Sequence, residues 1–127
     1  MAGQIFLAAL ALVVGLILFS HWRIARISRG LRGQPAPPGA EPHPQGVLYY
    51  FFSPRCAPCR RMGPVIDELA TAHPGQVVKV DVSEEPQRAA AFRVAATPTT
   101  LLVRDGRIVE VLLGAKPRQR LAGLLAE

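Results

Sequence analysis

The two cysteines of the chain, Cys56 and Cys59, stand three positions apart in Phe52–Pro64, FSPRCAPCRRMGP. Sulfur is useful as thiolate, and thiolate forms readily at a helix start, where unpaired backbone N–H groups and the helix dipole favour an anion. Cys56 occupies such a place, between an apolar run (Val47–Phe52) and a helical pattern that starts at Ala57. Arg55, Arg60 and Arg61 add positive charge beside it. Cys59 lies one turn on, within reach for a small disulfide. The expected chemistry is dithiol-disulfide exchange: Cys56 attacks a substrate disulfide and Cys59 resolves the mixed disulfide. Ala57-Pro58 sets the local geometry and so the redox poise.

Rival uses of the pair fit less well. A zinc site wants four ligands, and the three histidines fall in the apolar segment's end (His21), a proline-rich stretch (His43) and a helix end (His73). No metal is expected. Attachment of a c-type haem needs histidine after the second cysteine, where this chain has Arg60. A purely structural crosslink would close a four-residue loop and stabilise little. The redox-active disulfide Cys56–Cys59 is the only redox group expected, with no separate cofactor.

The elements that must hold the pair follow from periodicity. Val47–Phe52, VLYYFF, reads as a buried strand. Ala57–Ala72 reads as a helix with Met62, Val65, Ile66, Leu69 and Ala70 on one face and Pro64 kinking it. Gln76–Val82 is a strand, and Pro86–Phe92 a short helix opened by proline. Thr99–Val103 and Ile108–Leu113 are strands joined by Arg104-Asp-Gly-Arg107, an Asp-Gly hairpin signal. A last helix follows Lys116-Pro117 and runs to about Ala126. The order β-α-β-α-β-β-α implies an α/β fold: a four-stranded mixed sheet with helices on both faces, over residues 47–127.

Ahead of this lies a different composition. Ala2–Trp22 carries no charged side chain, and as a helix spans about 31 Å, close to the ~30 Å hydrocarbon thickness. The n-region lacks Lys and Arg and Ser20-His21-Trp22 is a poor cleavage context, so an uncleaved transmembrane helix is expected rather than a signal peptide. Trp22 belongs at headgroup level. Arg23, Arg26, Arg29 and Arg32 follow, and by the positive-inside rule they hold the C-terminal domain in the cytoplasm; an outward-facing, periplasmic domain is the alternative. Their every-third spacing, with Ile24, Ile27 and Leu31 between, fits either a helix continuing onto the lipid surface or a solvated basic flank. Residues 1–32 form this anchor and flank. Much of the formal net charge of +6 is this cluster, which argues against nucleic-acid binding. Residues 33–46, with five prolines, read as an extended linker reaching up to about 43 Å, which would hold the domain off the bilayer and let it swing.

With these motifs placed, the domain resembles thioredoxin over about Gly46–Glu127. Cys56-Ala-Pro-Cys59 follows an aromatic strand, Pro64 matches the family's helix proline, and Val65–Ala70 and Val78–Val82 are similar to its next helical and strand segments. Thr97-Pro98-Thr99 matches the cis-proline loop, and Gly114 the glycine after the last strand. The resemblance implies that Thr97, Pro98 and Pro58 shape a substrate groove, with Thr97 offering backbone groups to an extended substrate. It implies protein disulfide substrates and an upstream reductant or membrane electron carrier as partners.

Three departures stand out. The family's N-terminal β-α extension is replaced by the anchor and linker. Tyr50 stands where thioredoxins carry a buried acid, and a phenol of reference pKa about 10 is a poor base at neutral pH. Arg55 replaces a tryptophan, so Arg55 and Arg60 are expected to tune the Cys56 thiolate and make the disulfide more oxidising. The function expected is a membrane-tethered thiol-disulfide oxidoreductase that reduces protein disulfides. The alternatives are an outward-facing role in oxidative folding or cytochrome c maturation, and a non-enzymatic binding module.

Overall fold

The computed structural model describes residues 1–126; Glu127, the last residue of the expected domain, lies outside the described residues. The elements are α1 (Ala2–Gly30), β1 (Val47–Phe52), α2 (Ala57–Ala72), β2 (Val77–Asp81), α3 (Pro86–Ala91), β3 (Thr99–Arg104), β4 (Arg107–Leu113) and α4 (Arg118–Ala126). The sheet order is β2-β1-β3-β4. β1 pairs with β2 in parallel and with β3 antiparallel, and β3 with β4 antiparallel. This is the expected mixed sheet and the expected element order.

β1 is apolar throughout because it is central and covered on both sides. Val47, Tyr49 and Phe51 face one way, packing with Val80, Ala89, Phe92, Leu101 and Val103. Leu48 and Tyr50 face the other, against Met62, Ile66 and Leu69 of α2 and Leu121, Leu124 and Leu125 of α4. Each fully buried Leu or Ile contributes roughly 2 kcal/mol of apolar burial. Phe92 closes its side as an aromatic triad, 4.7 Å from the Tyr49 ring and 5.3 Å from Phe51.

Asp105 (φ 53°) and Gly106 (φ 73°) are both left-handed at the β3–β4 turn, the backbone that the Asp-Gly pair anticipates because it matches the strands' twist. α2 runs unbroken past Pro64.

The proline-rich segment corrects the sequence reading. It is not an extended spacer. Gly33 N–H donates to Ile108 O (2.7 Å), Ile108 N–H to Gln34 O (2.9 Å) and Ala36 N–H to Gly106 O (2.8 Å), laying residues 33–36 along the β4 edge. Proline here costs no sheet hydrogen bond, because Pro35 sits on the outermost row. Further on, Glu41 is latched: its N–H donates to Tyr49 Oη (2.7 Å), Tyr49 donates to its carboxylate (2.6 Å), and Arg88 donates to both carboxylate oxygens.

The basic flank is corrected as well. The helix continues through it to Gly30, yet it lies against protein: Ser28 and Leu31 are buried, Leu31 joins the core beside Val47 and Ile108, and Arg32 pairs with Glu110. The expectation missed this because Leu31 alone looks like one more apolar residue of a lipid-facing helix.

Candidate active site

β1 ends at Phe52, and Ser53-Pro54-Arg55 turns the chain into α2. Cys56 is the helix's N-cap residue, in extended backbone (φ −92°, ψ 111°). Its Sγ accepts a hydrogen bond from the Cys59 N–H at 3.3 Å. Pro58 stands between them without an N–H of its own, which is harmless in a first turn. The two cysteines are joined as a disulfide, with Cα atoms 5.2 Å apart. Cys56 is half-buried and Cys59 buried, so one sulfur is open to a partner and the other is shielded behind it.

The arginines differ in use. Arg55 is exposed at the helix mouth, whereas Arg60 reaches back so that Nη1 donates to Pro54 O at 3.4 Å, bracing the loop that carries Cys56.

The Thr97–Pro98 peptide bond is cis, as the motif led one to expect. Thr99 pairs with Phe51 across the sheet, so Thr97 and Pro98 sit at the same end of adjacent strands as the dithiol turn. Two hydrogen bonds brace the loop: Thr99 Oγ1 donates to Ala96 O (2.6 Å) and Gly114 N–H to Pro98 O (2.9 Å). Gly114 has φ +76°, a left-handed backbone that favours glycine there. Pro98 is buried and Thr97 half-buried.

Behind the disulfide is a cavity of about 210 Å³ lined by Tyr50, Phe52, Cys59, Gly63 and Lys79 among others. Tyr50 Oη donates to the Cys59 carbonyl at 2.9 Å. Burial, and secondarily the Asp67 charge, raises the Tyr50 pKa above its usual value of 10.0. Tyr50 is therefore a neutral donor at physiological pH and no base, in line with the expectation from the phenol alone. Lys79 is tied to Asp67 (2.7 Å) and lies 5.7 Å from the Phe52 ring centroid. The bond from Tyr50 to the Cys59 carbonyl was not foreseen; the partner of a buried hydroxyl depends on a helix nine residues away.

The comparisons agree with this geometry. The sequence model of the thioredoxin family matches residues 41–127. The chain belongs to the thioredoxin family. Thioredoxin 1 of Synechococcus elongatus is 40% identical over 81 residues, covering 62% of this chain and 76% of the relative. Thioredoxin of Alicyclobacillus acidocaldarius is 39% identical over 83 residues, covering 64% and 79%. Among solved structures, oxidised mitochondrial thioredoxin 3 of Saccharomyces cerevisiae aligns with a TM-score of 0.57 at 32% identity, over 65% of this chain and 79% of its own. A thioredoxin variant of Halobacterium salinarum aligns at 0.58 and 34% identity, over 64% and 72%. Membership and the Cys56–Cys59 disulfide make this thioredoxin a thiol-disulfide oxidoreductase acting on protein disulfides. Residues 1–40 lie outside the family match, and within them α1 is long and apolar enough to cross a membrane.

Proposed function

We propose that this is a membrane-tethered thioredoxin that reduces protein disulfides from a reduced Cys56/Cys59 dithiol. The Cys56 thiolate attacks one sulfur of the substrate disulfide, forming a mixed disulfide and expelling the first substrate thiolate, which takes up a proton. Cys59 then loses its proton and attacks the Cys56 sulfur. The second substrate thiolate leaves and is protonated, and the Cys56–Cys59 disulfide is restored. Two electrons and two protons pass to the substrate, and an external dithiol or membrane electron carrier must return them.

The observation that carries this reading is the N-cap geometry, with the Cys56 sulfur accepting the Cys59 N–H. The same contact would stabilise a thiolate, as would the dipole of the sixteen-residue α2 and the nearby Arg55 and Arg60. Thr97, whose backbone has no hydrogen-bond partner among the described residues, supplies the groove's free N–H and C=O for an extended substrate, with Pro98 and Pro58 forming its walls. Among the described residues no carboxylate is hydrogen-bonded at Cys59, and its proton leaves through water in the cavity beside Lys79. α1 is the anchor, and the arginines from Arg23 to Arg32 place the domain in the cytoplasm.

The test is insulin-disulfide reduction with a dithiol reductant. Cys56→Ser should fall to the uncatalysed rate, and unchanged turnover would refute the assignment. An impermeant thiol reagent applied to intact cells should leave the dithiol unlabelled; labelling would place the domain outside.

A further inference from the structure

What the dithiol can meet is set by how α1 packs against the domain. α1 does not end in a loose hinge. Residues 33–36 lie antiparallel along the start of β4, Arg32 pairs with Glu110, and Ala25, Ser28, Arg29 and Arg32 share one cavity wall with Val111, Leu112, Leu113 and Lys116. The helix therefore runs back along β4, against the strand's direction. Arg32, just past the helix end, meets Glu110, and seven residues back Ala25 shares its cavity wall with Leu113, so Ala25 lies near the level of Leu113.

Leu113 pairs with Thr99, and Thr99 with Phe51. That row is the end of the sheet from which both the cis-proline loop and the Cys56 turn project. β1 is two strands in from β4, about 10 Å to the side. From the same level α1 continues outward, with no part of its apolar window buried. Phe19, the last residue of the apolar run, lies about 9 Å beyond Ala25. A headgroup layer of roughly 6 Å covers most of that gap. Trp22, half-exposed, falls within it.

We infer that the dithiol faces the bilayer at headgroup level, and that its substrate is a disulfide in an integral membrane protein, presented within the headgroup layer. This rests on the tethering reading and deepens it. A domain swinging on a free linker would sample the aqueous phase, whereas this one is held by Leu31, Arg32 and the strand-like segment with its reactive end toward lipid. Arg55, Arg60 and Lys116 carry positive charge at that end, which suits an anionic surface. Glu84 and Glu85, on the β2–α3 loop at the same end, oppose it. The chemistry is unchanged: two electrons leave the dithiol, the partner's disulfide becomes two thiols, and the Cys56–Cys59 disulfide forms.

The full chain reconstituted in phosphatidylcholine–phosphatidylglycerol vesicles tests this in two ways. In the Cys56→Ser/Cys59→Ser background, a nitroxide placed by Ala57→Cys should be protected from a water-soluble relaxant and one placed by Ala72→Cys should not. Both positions are exposed, one at each end of α2. In the wild-type chain, a transmembrane peptide with its disulfide at headgroup level should be reduced faster than one whose disulfide stands about 30 Å out on a proline stalk, by roughly tenfold or more through effective concentration. Equal rates, a preference for the stalk, or equal relaxation of the two nitroxides would overturn the inference and leave tethering intact. Release of the chain from the vesicles by an alkaline wash would instead sink the tethering reading, and the inference with it.

Discussion

Cys56 and Cys59 share a helix turn but not an environment. The first is half-open and capped by an N–H, and the second is buried with its carbonyl held by Tyr50. This asymmetry predicts that Cys59→Ala traps a stable mixed disulfide on Cys56, visible as a covalent adduct on a non-reducing gel and lost on adding a dithiol. Tyr50→Phe removes the hydroxyl's bond to the Cys59 carbonyl, which lies within α2, and costs about 0.5–1.5 kcal/mol; urea unfolding of the oxidised protein should show the loss. Tyr50 has a raised folded pKa, so what its protonation contributes to stability is fully present below pH 10 and is lost only as pH rises through the higher folded value. The exchange rate should therefore show no Tyr50 titration near neutrality, and the Phe variant should keep the wild-type pH-profile shape. The Cys-x-Pro-Cys spacing announces the chemistry. The partner of the phenol is a matter of how α2 packs over β1.

Among the elements, the β3–β4 turn and the Glu41 latch make separate claims. Gly106 has φ +73° with open space around a would-be Cβ. Gly106→Ala should then cost only backbone strain, about 1 kcal/mol, read as a lower urea midpoint with unchanged slope. At the latch, burial pushes the Glu41 carboxyl up, but the hydrogen bonds from Tyr49 and Arg88 outweigh it and hold the carboxyl below its usual 4.5. Burial and the hydrogen bond to Glu41 push Tyr49 up to about 12. Glu41, with a depressed pKa, stabilises docking above pH 4.5 and ceases to as pH falls through its lower folded value. Tyr49, with a raised one, stabilises docking below pH 10 and ceases to as pH rises toward about 12. Hydrogen exchange at Glu41 N–H should be slow between these limits, and Glu41→Gln should speed it and flatten the acid limb. Proline content correctly excluded a helix from residues 33–46. It could not exclude docking, because edge pairing with β4 uses only the donors and acceptors of the residues beside the prolines.

At the scale of the whole molecule, Leu31 joins two regions that composition separates. It is 3% exposed, and Leu31→Ala should cost about 2 kcal/mol, lower the unfolding midpoint and release the protection of the Gly33 and Ala36 amides; unchanged protection would show that α1 is not held by this contact. The dithiol pair, the strand and helix order, the cis-proline loop and the apolar helix were all legible in the sequence, because each depends on local spacing, periodicity or a proline that only a few backbones accept. The route of residues 23–46 was not. Whether Leu31 faces lipid or protein, whether a proline-rich stretch swings or docks, and where the reactive end points relative to α1 depend on tertiary contacts, such as Gly33 with Ile108 and Glu41 with Arg88, that no local pattern announces. Those on β4 arise only when it offers a free edge and an apolar flank, and both exist only once the sheet has formed.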